Sequence, residues 1–318
     1  MKQFLIRLTE RFQQEDIDYE TWFGLNRASE KELEEQRKRV WEQAPKISIV
    51  VPAYCTPESF LREMIQSVQN QTYTEWELCI ADASPTGEKL REDLSKVRVK
   101  KKKEAILAIP EKETELTSLI REYQIRDDRI RYEILKENKS IAENSNAALK
   151  MASGDFVCLL DHDDLLEPDA LYEVAEKIVQ DDRVDVVYTD EDKINSKGTK
   201  HLTPNMKPDF NLDLLRSNNY ICHLFVVRRI LVEKIGGFRK EFDGAQDYDF
   251  IFRCTEEAEK IAHVHKVLYH WRTHEKSTSD NPESKLYAFH AGKRAVEAHL
   301  KRMGVQASVE ETQDLGYY

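Results

Sequence analysis

The sequence predicts an α/β fold, a Rossmann-like, mostly parallel sheet flanked by helices. Three observations carry the prediction. Short apolar runs such as Ile47-Ser48-Ile49-Val50-Val51 and Phe156 to Leu160 have the length of buried strands. Apolar residues at helical spacing separate them. Polar residues stand directly after several of these strands, at the end of a parallel sheet where ligands bind.

The elements follow in order. Residues 1–45 are dense in charge, as in Glu30-Lys31-Glu32-Leu33-Glu34-Glu35, and read as an N-terminal helical extension. Tyr19, Trp22, Phe23 and Trp41 are its means of docking on a core. The run from Lys46 ends as a strand at Pro52; Thr56 and Pro57 then suit an N-cap and a first helical position. Phe60, Leu61, Met64, Ile65 and Val68 recur at helical spacing, and Trp76 to Ala81 is the next strand. An insertion at about 95–122 carries the basic run Lys96 to Lys103 and a charged helix from Glu111 to Tyr123. It reads as a solvated surface or, alternatively, as a contact for an anionic membrane or a partner. Ile130 to Leu135 is a strand, Ile141 to Ala152 a helix, and Asp185 to Thr189 a further strand. The α/β domain spans 46–280; residues 281–318 read as a C-terminal helix and tail, the start of a further region in a longer protein.

Composition excludes several classes. A net charge of -11 argues against nucleic acid as the main partner. The five scattered cysteines form no zinc or redox motif, and most lie in apolar runs, as small buried side chains do in a reducing compartment. No signal-peptide core and no membrane-length apolar stretch is present, which reads as cytoplasmic. There is no glycine-rich dinucleotide loop, Walker loop, H-E-x-x-H, C-x-x-C or G-x-S-x-G.

Three segments carry chemistry. Leu160-Asp161-His162-Asp163-Asp164 sets three carboxylates after a buried strand, where they repel one another and suit a hard cation such as Mn²⁺ or Mg²⁺. Asp164 or Glu167 could instead cap the helix that begins near Pro168. In Gln246-Asp247-Tyr248-Asp249 the two aspartates open a helix, as caps or as a general base. In Tyr269-His270-Trp271-Arg272-Thr273-His274-Glu275-Lys276 a histidine could complete a metal shell, and Arg272 or Lys276 could meet diphosphate; otherwise this is a polar surface loop. With no glycine-rich phosphate cradle, a diphosphate needs the acid-bound cation as its counter-charge.

From about Pro45 to Ser279 these motifs resemble glycosyltransferase family 2. The resemblance rests on Val51-Pro52-Ala53-Tyr54, Ser67-Val68-Gln69-Asn70-Gln71-Thr72-Tyr73, Ala81-Asp82-Ala83-Ser84 and Asn146-Ala147-Ala148-Leu149. It continues through Gly154-Asp155, Asp161-His162-Asp163-Asp164, Gly236-Gly237-Phe238, Gln246-Asp247-Tyr248-Asp249 and the Trp271 to His274 loop. The resemblance implies a GT-A fold and an inverting transfer from a nucleotide-diphosphate sugar, typically a UDP-sugar, to a glycan or lipid-linked glycan acceptor in surface-polysaccharide synthesis, at the cytoplasmic face of a membrane. It implies that Pro52, Ala53, Tyr54, Asp82, Asn146, Asp161 and His162 meet the donor. Asp161 and Asp163 would bind the metal with His270 or His274, and Asp247 would be the base. Asp164, Gln246, Asp249 and Arg272 would support them. The rivals are a nucleotidyltransferase, which normally carries a glycine-rich loop near its first strand, and a catalytically silent carbohydrate binder or scaffold.

Overall fold

The computed structural model describes residues 18–273 and 286–318. Helices α1 (Tyr19–Asn26) and α2 (Glu30–Lys38) precede β1 (Ile47–Ala53), α3 (Glu58–Gln69), β2 (Trp76–Asp82), α4 (Gly87–Glu92), α5 (Lys100–Ala108), α6 (Thr117–Arg126) and β3 (Ile130–Ile134). Next come α7 (Ile141–Met151), β4 (Phe156–Leu159), β5 (Leu165–Leu166), α8 (Ala170–Gln180), β6 (Val184–Ile194) and β7 (His201–Asn205). They are followed by α9 (Leu212–Ser217), β8 (Phe225–Arg228), α10 (Arg229–Ile235), α11 (Gln246–Glu257), β9 (Lys260–Arg272) and α12 (Leu286–Arg302).

The strands form one sheet in the order β3-β2-β1-β4-β8-β6-β9-β5, with β7 beside β6. β1 to β4 are mutually parallel, and β6 runs parallel to β9. Helices cover both faces, so β1 and β2 are buried almost throughout, which is why their sequences run apolar without alternating. α3 lays Leu61, Met64, Ile65 and Val68 on one face of the sheet, and α8 adds Leu171, Val174, Ala175 and Ile178 to the same core. No helix among the described residues is long and apolar enough to cross a membrane.

Four expectations change. Pro57, not Thr56, is the N-cap of α3, and the Thr56 hydroxyl is buried without a hydrogen-bond partner. β8, absent from the sequence reading, lies between β4 and β6 and runs antiparallel to both. Because β8 is reversed, its first residue, Phe225, pairs with the last of β4, Leu159. The insertion also does more than face water. Lys100 to Lys102 are exposed, but Leu116, Leu119, Ile120 and Tyr123 join the core, and Thr114 reaches Asp82. In the N-terminal extension Tyr19, Phe23 and Trp41 dock on the sheet domain, whereas Trp22 is 37% exposed.

At the end of the sheet away from the acid-rich loops, Glu77 binds the strands together. Its carboxylate, 1% exposed, accepts from Lys46 Nζ at 2.7 Å, Ser48 Oγ at 2.6 Å and Ser153 Oγ at 3.0 Å. Burial alone would raise its pKa, but these donors hold it down at about 2. The stabilisation is therefore complete above the unfolded pKa near 4.3 and fades as pH falls towards 2. Glu77→Gln is expected to cost about 1.5–3 kcal/mol at pH 7 in urea unfolding and to flatten the acid limb of the stability curve. An unchanged acid limb would show that this carboxylate does not hold the strands.

Candidate active site

The loops that follow β4 and precede β8 meet at one end of the sheet. Ligand atoms of Asp161, Asp164 and His223 lie within 4.8 Å of one another. Asp164 is buried, its oxygens accepting the Tyr269 hydroxyl and the Arg272 backbone N–H at 2.8 Å. Burial, then the charges of Asp163 and Asp161, push its pKa well above the usual carboxylate range. His223 stacks on Tyr269, centroids 4.6 Å apart, and meets Trp271 edge-on. Below it, Lys207 Nζ is buried and donates to the carbonyls of Ile221, at 2.7 Å, and His223. That buried ammonium holds the imidazole's own backbone in place.

Asp247 stands in the first turn of α11, where its Oδ2 accepts from Asn219 Nδ2 at 2.9 Å. Burial raises its pKa; His223 counters the rise and the Asp161 charge adds to it, so the three side chains share one electrostatic environment. Asp249 belongs elsewhere. Two residues along a helix is a rotation of roughly 200°, and Asp249 is buried between Arg239 Nε and Arg253 Nε, both at 2.9 Å. Arg253 in turn donates to the Gly237 carbonyl at 2.7 Å. Helical period separates a base candidate from a structural anchor.

Other expected site residues are engaged in the framework. Asn146 pairs with both backbone groups of Phe238 at 2.8 Å and does not project towards a donor. Gly237, with φ +40°, leaves room for it: an added Cβ would meet Asn146 Oδ1 at 2.4 Å. Asp82 is wholly buried, accepting from the Ser84 N–H at 2.8 Å, Tyr132 at 2.9 Å and Thr114 at 2.5 Å. Ser84 Oγ then accepts the Cys55 N–H at 2.8 Å, so Asp82 shapes the loop under Tyr54 without facing the crevice. Pro52 and Ala53 close β1, and Tyr54 beyond them is 46% exposed. Gln246 Oε1 accepts the Gly244 N–H at 3.0 Å. Arg272 is 0% exposed, donating to the carbonyls of Asp163 at 2.7 Å and Ser196 at 3.1 Å and to Glu63 at 2.6 Å. It braces the acidic loop and has no face turned to a diphosphate.

The expected metal shell changes most. Strand alternation turns Tyr269 and Trp271 towards His223 and His270 to the other side. There His270 Nδ1 meets Asp192 at 2.6 Å and Nε2 meets Glu167 at 3.0 Å. Burial would lower its pKa, but the two carboxylates raise it to about 9. His270 therefore does not join Asp161, and His274 lies outside the described residues. Asp163 adds charge but no atom to the Asp161–Asp164–His223 triplet; His162 Nδ1 lies 3.7 Å from its Oδ1. His223 was missed because its tell-tale, a histidine before an apolar run, means nothing until that run is known to be reversed. Cavities of about 230 and 250 Å³ lie elsewhere, against α1 and α2.

The donor set fits a divalent cation: two carboxylates and an imidazole converge, and an ion there would relieve the repulsion that lifts Asp164.

Comparison with known proteins gives the family and the fold. The sequence profile of glycosyl transferase family 2 matches residues 48–108 and 100–236. The chain is 40% identical over 263 residues to protein y4gI of Sinorhizobium fredii, covering 82% of this chain and 26% of that one. It is 31% identical over 300 residues to the O-antigen biosynthesis protein RfbC of Myxococcus xanthus, covering 94% and 21%. The chain thus spans about a quarter of the length of these relatives. Residues 1–349 of TarS from S. aureus share the GT-A fold, with a TM-score of 0.57 at 19% identity over 83% of this chain and 67% of that one. The same protein in complex with UDP-GlcNAc gives a TM-score of 0.55.

If Asp249 is structural and Asp247 is not, their amides should part company in urea unfolding. Asp249→Asn is expected to cost about 3–5 kcal/mol by stranding Arg253. Asp247→Asn, which removes a charge that burial already disfavours, should cost less than about 1 kcal/mol. Equal losses would refute the division.

Proposed function

This chain belongs to glycosyl transferase family 2, and on that premise we propose that it moves a sugar from a nucleotide-diphosphate donor to a hydroxyl of a glycan acceptor in polysaccharide synthesis. The observation that carries the reading is the convergence of Asp161, Asp164 and His223, with Asp247 inside their field. In this reading Asp161, Asp164 and His223 would hold a Mn²⁺ or Mg²⁺ ion, which would supply positive charge for the leaving diphosphate. Tyr54, at the open end of β1, offers its ring to the nucleoside, and Asp82 keeps the adjoining loop in shape through Ser84.

Asp247 is the general base. Its carboxylate sits on the first turn of α11 with Oδ2 held by Asn219, and it takes the proton from the acceptor hydroxyl. Its raised pKa makes it a better proton acceptor than an ordinary carboxylate. Attack by the acceptor opposite the departing diphosphate would give inversion. A UDP-sugar is the donor we favour, in keeping with the UDP-GlcNAc complex of TarS. The exposed lysines of α5 are where an acidic membrane surface or lipid-linked acceptor would be met.

Asp247→Asn should lower the rate of transfer about 10²–10⁴-fold while the donor still binds, measured by nucleotide-diphosphate release and by calorimetry. Turnover near that of the parent would rule out Asp247 as the base. Chelation should abolish transfer, and added Mn²⁺ should restore it; full activity after exhaustive chelation would remove the cation from the reading.

A further inference from the structure

We propose that His263, His265 and Asp209 form a second metal site, suited to Zn²⁺, at the seam between β6 and β9 and separate from the acidic cluster. The backbone sets it up. β9 pairs with β6 through Tyr188↔His263 and Thr189↔Val264, but the next pair is Asp190↔Val267. His265 and Lys266 are therefore a bulge without partners on β6, and a bulge re-aims a side chain that regular pairing would fix.

His263 is oriented as a ligand. Its side chain is 1% exposed and its ring lies flat on Tyr188, centroids 4.5 Å apart. Nε2 meets Asp190 Oδ1 at 2.8 Å. The same oxygen accepts the Lys207 N–H at 2.8 Å. A carboxylate only accepts, so Nε2 carries a proton, and in the neutral ring Nδ1 then presents its lone pair. That nitrogen is buried and has no hydrogen-bond partner among the described residues. A carboxylate behind the far nitrogen is the support that metal-binding histidines commonly have.

The other two ligands stand in front. Asp209 Oδ1 lies 3.6 Å from His263 Nδ1, too far for a hydrogen bond, and 3.1 Å from His265 Nε2. All three ligand atoms lie within 4.8 Å of one another. Tetrahedral zinc, with ligands at about 2.0–2.1 Å, places them roughly 3.3 Å apart, so rotation of the exposed Asp209 and His265 side chains suffices to close the set. The loop that carries Asp209 is itself anchored, since the Pro208 carbonyl accepts the Tyr188 hydroxyl at 2.6 Å. Asp209 and His265 are 81% and 64% exposed, which gives the ion a way in and leaves a fourth position for water.

The test is zinc titration of tag-free, chelator-stripped protein by calorimetry, with melting curves alongside. Parent protein should take up one equivalent that His265→Ala and Asp209→Asn both lose, and only the parent should gain melting temperature from that equivalent. Both substitutions are at exposed positions, and circular dichroism of each variant checks that it folds. Asp190→Asn should weaken binding about 10–100-fold. Asp161→Asn should leave this equivalent in place. If both exposed variants bind zinc as the parent does, or if Asp161→Asn alone abolishes uptake, the site does not exist.

Discussion

The structure turns on like charges held together. Asp161, Asp163 and Asp164 follow one buried strand, and Asp247 enters their field from α11. Such a group is unfavourable without a counter-ion, and much of the surrounding framework works to keep it assembled. Tyr269 and the Arg272 backbone hold Asp164; the Arg272 guanidinium, wholly buried, braces the loop through the Asp163 carbonyl. Lys207 fixes the backbone of His223. A site assembled beforehand in this way would spend little reorganisation on taking up a cation and a diphosphate.

Much of what the motifs offer as chemistry is framework. Asp249 anchors two arginines, Asn146 caps the turn at Phe238, Asp82 holds the loop below Tyr54, and His270 joins Asp192 to Glu167 beside Phe23. In each case the side chain is saturated by partners of its own. Asp161, Asp164 and His223 differ in bringing their ligand atoms together at one place, with Asp247 in their field and Tyr54 at the open strand end. Their neighbours in sequence are the scaffold that aims them.

Strands β1 to β4 and helices α3 and α7 were legible because local pattern decides them: β-branched runs buried on both faces, and amphipathic helices between. The acidic loop was legible for the same reason, since its position follows from the strand before it. What escaped were features set by pairing. β8 is four residues long, and nothing local says that it reverses between β4 and β6. With it went His223. The same limit explains His270, which a loop reading puts beside the acids, whereas strand parity in β9 turns it away. The choice between Asp247 and Asp249 likewise needed the helix phase relative to its neighbours, not its mere presence.

The central claim is that Asp161, Asp164 and His223 hold the cation. Electron paramagnetic resonance of Mn²⁺ with UDP present reads that directly. On this account the parent binds one ion, while Asp164→Asn and His223→Ala lose it and His270→Gln keeps it. Retention by the first two variants, with loss in the third, would contradict the assignment.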